Sequence, residues 1–152
     1  MAAITYDDIL TSVKASIAHA ATPEEATRQA VTILKQQMAN YTWVGIYLMD
    51  GQELVLGPFL GKPSPHTRIP LNQGICGAAA STKETIIVDD VDTDPRYLAC
   101  SLDTRSEIVV PIMRGDKVLG EIDIDSDKKA AFGTSDRELL ESVAALLARK
   151  LA

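Results

Sequence analysis

The groups in this sequence able to do covalent or ionic chemistry are two cysteines and a run of carboxylates. Cys100 lies in YLACSLDTRSEIVVPI, a polar stretch with Arg96 just before it and Arg105 within it, which reaches Glu107 seven residues after the cysteine. A cysteine ordinarily prefers apolar neighbours, and basic ones favour thiolate over thiol. These neighbours fit a reactive thiol or an ordinary loop residue. Cys76 stands in GICGA among small apolar residues, where a structural thiol is the expectation. His66, in KPSPHTRI, reads as a loop or strand-start residue with a role only if the fold brings it near Cys100.

The acids gather on a hairpin, EIVVPIMRGDKVLGEIDID. With its turn centred on Gly115, Glu107 falls opposite Asp123. Side chains alternate along a strand, so Glu121, Asp123 and Asp125 share one face and Ile122 and Ile124 the other. Like charges facing across a strand pair are destabilising. Two arrangements satisfy this pattern: a solvated acidic face, or one that holds a cation, either a metal or an ammonium group. A hard metal calls for more oxygen ligands close in sequence and a loop to wrap it. Neither histidine adjoins the acids, so the expectation is no metal. Trp43 and Tyr47, four apart in a strand, share a face with Gly45 between them, and a glycine there leaves room for a close approach to the backbone. The pair fits ordinary core aromatics, or an aromatic wall of the kind that holds amine-bearing ligands.

These residues need a scaffold, and 152 residues suffice for one domain spanning 1–152. The net charge of −6 and scattered Lys and Arg speak against a phosphate-tracking nucleic-acid surface. No apolar run approaches the roughly 18 residues of a membrane span, and MAAITYDDIL lacks a basic leader. Two cysteines do not make a disulfide framework, so a cytoplasmic setting with reduced thiols is expected.

Helical periodicity marks TYDDILTSVKASIAHA, with Ile9, Leu10, Val13 and Ile17 on one stripe and Thr5 as cap ahead of Asp8. TPEEATRQAVTILKQQM begins with Thr22 as cap, Pro23 at the first helical position and Glu25 completing a capping box; Ala26, Ala30, Ile33 and Leu34 form its apolar side. The period then shortens. YTWVGIYLMDGQELVLGPF is a hairpin broken at Asp50-Gly51, TRIPL and ETIIVDD are short strands, and the small residues after Gly74 suit a tightly packed helix. Residues 89–106 read as a long loop, and SDRELLESVAALLARKLA as a helix capped by Ser135 with Glu138 three residues on. Helices, hairpins, then a helix make an α+β domain on an antiparallel sheet.

WVGIY, LVLGPFLGKP, RIPLNQGICGAA, YLACSLDTRSEIVVPI and GEIDIDS together resemble the GAF-domain free methionine-(R)-sulfoxide reductases, over roughly residues 40 to 126. The resemblance implies a GAF-like domain, with the N- and C-terminal helices on one face of the central sheet and a ligand pocket on the other. It implies that Cys100 is the catalytic thiolate and that Glu107, Asp123 and Asp125 hold the substrate's ammonium. Trp43 and Tyr47 would wall the methyl-sulfoxide end, with Asp125 or Asp123 as proton donor. No bound cofactor is implied; an external thiol reductant, such as a thioredoxin-type protein, would recycle the enzyme, and a homodimer through the terminal helices is consistent with the family. One departure matters. The family's main resolving cysteine lies ten residues before the GICG cysteine, where this chain has His66, while Cys76 matches a secondary cysteine. Either Cys76 resolves oxidised Cys100, or an external thiol does so directly, or turnover is lost and the domain senses a small ligand or thiol redox state.

Overall fold

The computed structural model describes residues 4–98 and 103–151. Two helices lead, α1 (Tyr6–His19) and α2 (Pro23–Gln37), followed by the hairpin β1 (Trp43–Asp50) and β2 (Glu53–Leu60), then β3 (Arg68–Pro70). A short helix α3 (Gly74–Thr82) and strand β4 (Ile86–Val88) precede the hairpin β5 (Ser106–Arg114) and β6 (Lys117–Ser126), and α4 (Thr134–Leu151) closes the chain. The strands form one antiparallel sheet in the order β3-β2-β1-β6-β5-β4, so the fold is α+β. The stretch read as a loop before β5 contains one turn of 3-10 helix, Val91–Thr93. No helix among the described residues is long and apolar enough to cross a membrane.

The first two helix starts follow local chemistry. Thr5 Oγ1 accepts from the Asp8 N–H and Asp8 accepts from the Thr5 N–H, a full capping box. Thr22 likewise accepts from Glu25, but the Glu25 carboxylate reaches back to Ala21 rather than to Thr22. In α4 the expected cap at Ser135 is corrected. The helix begins at Thr134, and the Asp136 carboxylate, not a serine hydroxyl, accepts from the Gly133 N–H at 2.9 Å. The same carboxylate accepts from the Tyr41 hydroxyl at 2.6 Å, which ties the helix start to the core. On α2 the buried stripe takes in Val31, while Ile33 is only partly buried.

The sheet separates two packed regions. Val44, Ile46, Ile108, Val110, Ile112, Ile122 and Ile124 point to the face covered by α1, α2 and α4, where they meet Ile9, Val13, Leu34, Leu140 and Leu147. The other face carries Trp43, Tyr47, Leu54, Ile69 and Val109, covered by Ile75, Cys76, Ala79 and Ala80 of α3. Helix α3 sits close because its residues are small. A Cβ on Gly77 would lie 2.9 Å from the carbonyl oxygens of both Pro70 and Leu71, so only glycine lets the helix seat there.

Candidate active site

Strand alternation builds the site. Trp43 pairs with Asp125, Gly45 with Asp123 and Tyr47 with Glu121 across β1 and β6. Across β5 and β6, Glu107 pairs with Asp125 and Val109 with Asp123. The expected facing of Glu107 with Asp123 is therefore corrected by one pair. The turn is two residues, Gly115-Asp116, and an irregularity between Ile112 and Met113 adds a residue on β6; each lengthens the offset by one. Parity survives, so all four acids still share the face opposite Ile122 and Ile124.

That face is not solvated. Glu107, Glu121, Asp123 and Asp125 are 6%, 0%, 4% and 4% exposed, which removes the solvated alternative. Carboxyls taken out of water resist ionisation. Burial pushes Glu121 well above the usual carboxylate range, with Asp123 adding to the rise and the Cys76 thiol opposing it. Asp125 is also pushed well up by burial and by Asp123, against hydrogen bonding from Glu107 and Thr104. Asp123 rises by burial, with Glu107 and Cys76 opposing. Both Glu121 oxygens and the Oδ1 atoms of Asp123 and Asp125 accept no hydrogen bond of normal geometry from the described residues. Buried acceptors left this way are costly.

Cys76 is the residue whose surroundings sequence reasoning missed. Its Sγ and single oxygens of Glu107 and Asp123 all lie within 4.8 Å of one another. Burial pushes the thiol well above its ordinary value, and Asp123, Glu121 and Glu107 push it further. No sequence spacing could have revealed this, since it depends on how α3 lies across the sheet. Glu121 was legible as a member of the acidic face, but as nothing more.

The aromatic pair divides. The Trp43 ring lies over Gly45, where a Cβ would meet its edge at 2.3 Å. The room that glycine leaves is thus filled by the strand's own indole. Trp43 Nε1 donates to the Lys62 carbonyl, and the ring stacks on Phe59 at 5.7 Å. Tyr47 is buried and its hydroxyl donates to the His66 carbonyl at 2.8 Å, so His66 enters through its backbone, from the loop between β2 and β3. A pocket of about 390 Å³ opens between that loop and the start of β5, lined by Trp43, Lys62, Asp103, Thr104, Asp125 and Asp127 among others. Lys62 and Asp103 form an ion pair at its exposed rim. Of the proposed substrate ligands, Trp43 and Asp125 line this pocket, whereas Tyr47, Glu107 and Asp123 lie outside its lining. Cys100, on which the thiolate expectation falls, lies outside the described residues.

A six-stranded antiparallel sheet with terminal helices on one face and a pocket on the other defines a class, and residues 22–151 match the GAF domain family. The chain belongs to that family. Within it the chain is 45% identical over 117 residues to the free methionine-R-sulfoxide reductase of Saccharomyces cerevisiae, covering 74% of this chain and 64% of the yeast protein. The protein of the same name from Escherichia coli is 34% identical over 120 residues, covering 79% of this chain and 72% of that one. The solved free methionine-R-sulfoxide reductase of Neisseria meningitidis, in complex with its substrate, superposes with a TM-score of 0.92 at 35% identity, covering 96% of this chain and 87% of that one.

Proposed function

We propose that this protein reduces free L-methionine-(R)-sulfoxide to methionine. One observation carries the reading beyond the likeness to named reductases: Asp123 and Asp125 each keep a buried oxygen without a partner among the described residues, and Asp125 lines a pocket walled by the Trp43 indole. Buried charge must be paired, and an ammonium brings three donors and a positive charge. Glu107, Asp123 and Asp125 are the acceptors in this reading. A peptide-bound or N-acylated methionine has no ammonium and is excluded.

The chemistry then runs as follows. Cys100, as thiolate, attacks the electrophilic sulfur of the sulfoxide while the S–O bond breaks. The new S–S bond leaves a sulfonium as the protonated oxygen departs as water; water then adds at the Cys100 sulfur, the S–S bond breaks, and methionine leaves behind a Cys100 sulfenic acid, the reversible first step of thiol oxidation. Asp125 is the proton donor, since it lines the pocket and burial, with Asp123, raises its carboxyl well above its ordinary value. Trp43 packs against the methyl-sulfoxide end, with Tyr47 behind it.

Recycling falls to an external dithiol of the thioredoxin class. The setting of Cys76 supports this, because a thiol buried among acids is a poor nucleophile, and His66 stands where a resolving cysteine would be. The test is steady-state turnover with a dithiol. Consumption of free L-methionine-(R)-sulfoxide, with the N-acetylated compound untouched, is the expected result. Equal turnover of both compounds, or of neither, contradicts the reading.

A further inference from the structure

We propose that Cys76, Glu107 and Asp123, with Glu121 beside them, form a binding site for a divalent ion of the zinc class, and that the ion and the substrate's ammonium exclude one another. The second half rests on the reductase reading; the first does not.

The argument starts from a surplus. An ammonium has three N–H donors to place, and Glu107, Asp123 and Asp125 suffice to receive them. Glu121 is then left with the Cys76 thiol as its neighbour, and neither of its two buried oxygens accepts a hydrogen bond of normal geometry from the described residues. Cys76 is left with a buried thiol turned toward Asp123, Glu121 and Glu107. A thiolate with carboxylates is a mixed sulfur and oxygen set of borderline softness, which suits zinc better than magnesium or calcium. Geometry agrees. One sulfur and two oxygens lie within 4.8 Å of one another. Around tetrahedral zinc, with bonds of about 2.0–2.3 Å, such atoms sit about 3.4–3.6 Å apart. The three must therefore draw in by at most about 1.4 Å. Divalent charge also answers the local electrostatics, because a coordinating thiol loses its proton outright and like-charged carboxylates gain a common partner.

The expectation from sequence was that no metal site exists, since neither histidine adjoins the acids. What changes that expectation is the thiol, which α3 brings over the sheet from outside the hairpin. Glu107 and Asp123 serve both ions in this scheme, so occupation by the metal removes the ammonium's seat.

The experiment uses full-length Cys100→Ser protein, reduced and metal-free, titrated with Co²⁺. This background removes the other thiol as a source of signal and needs no chemistry to occur. One ion per chain, with a sulfur-to-cobalt charge-transfer band displaced by Zn²⁺, is the expected result. The band should vanish when Cys76→Ser is added, and Glu121→Gln should weaken binding at least about tenfold. Circular dichroism of each variant shows that it is folded, and Cys76→Ala provides a second variant if Cys76→Ser is not. No band in the Cys100→Ser protein, or a band that survives loss of Cys76, overturns the site. Methionine should displace the ion where equal glycine, which chelates free metal equally, does not. A band unaffected by methionine overturns mutual exclusion, and leaves the reductase reading to be judged by turnover of the wild-type protein.

Discussion

Strand β6 presents two surfaces, carried by alternate residues and opposite in purpose. Ile122 and Ile124 face the terminal helices and are fully buried among apolar side chains. Glu121, Asp123 and Asp125, interleaved with them, are buried nearly as deeply on the other side, with both Glu121 oxygens and one oxygen of each aspartate accepting no hydrogen bond of normal geometry from the described residues. Equal burial with opposite polarity cannot both serve stability. Apolar burial contributes roughly 25 cal/mol per Å², whereas buried acceptors without partners cost free energy. The helix face holds the domain together; the pocket face is held in place by it and, in the proposed function, is completed by a ligand.

Breaking each face should therefore give different losses. The largest effect expected on stability is from Ile124→Ala, which leaves a cavity on the face covered by the terminal helices. Urea unfolding should show a loss of about 2–5 kcal/mol, with ligand affinity in the folded fraction unchanged. Asp125→Asn should do the reverse. Calorimetry with methionine sulfoxide should show binding weaker by about 1.5–3 kcal/mol, as for loss of a charge-assisted hydrogen bond, while stability at pH 8 does not fall. Unchanged affinity in that variant would break the comparison.

The smallest effect sharpens it. Burial raises Glu121, Asp123 and Asp125 above their ordinary values. A raised carboxyl contributes stability that is full below its unfolded value of about 4 and is lost as pH rises through the folded value. Ligand-free protein should thus lose this contribution from about pH 4 upward. Glu121→Gln, neutral at every pH, should gain on wild type as pH rises. Unfolding curves at pH 5 and pH 8 check the sign, and a variant that falls behind wild type at pH 8 would contradict it.

Local chemistry was legible in the sequence, and distant geometry was not. Thr5 and Thr22 cap their helices because a hydroxyl three residues from an N–H needs nothing else. The acidic face was readable because alternation is a property of one strand. Its pairing was misplaced by one step, since neither a two-residue turn nor an irregularity at Ile112 and Met113 is written in the hydrophobic pattern. Burial of the acids was likewise hidden, because α3, which covers that face, is built from residues as bland as GICGAAA. The start of α4 was misplaced for a related reason. Asp136 takes the capping role that Ser135 was expected to fill, and Tyr41, ninety-five residues away, holds it there.

The central claim is that the pocket face performs chemistry on a free amino acid, and a single turnover tests it most directly. Reduced protein is mixed with free L-methionine-(R)-sulfoxide without any added thiol, and both the released methionine and the mass of the protein are measured. About one methionine per chain is predicted, with oxidation at Cys100 as a sulfenic acid. Cys100→Ser should release none, and Cys76→Ser should release as much as wild type. Wild-type protein that binds the sulfoxide yet releases no methionine would contradict the account and make the domain a binding module.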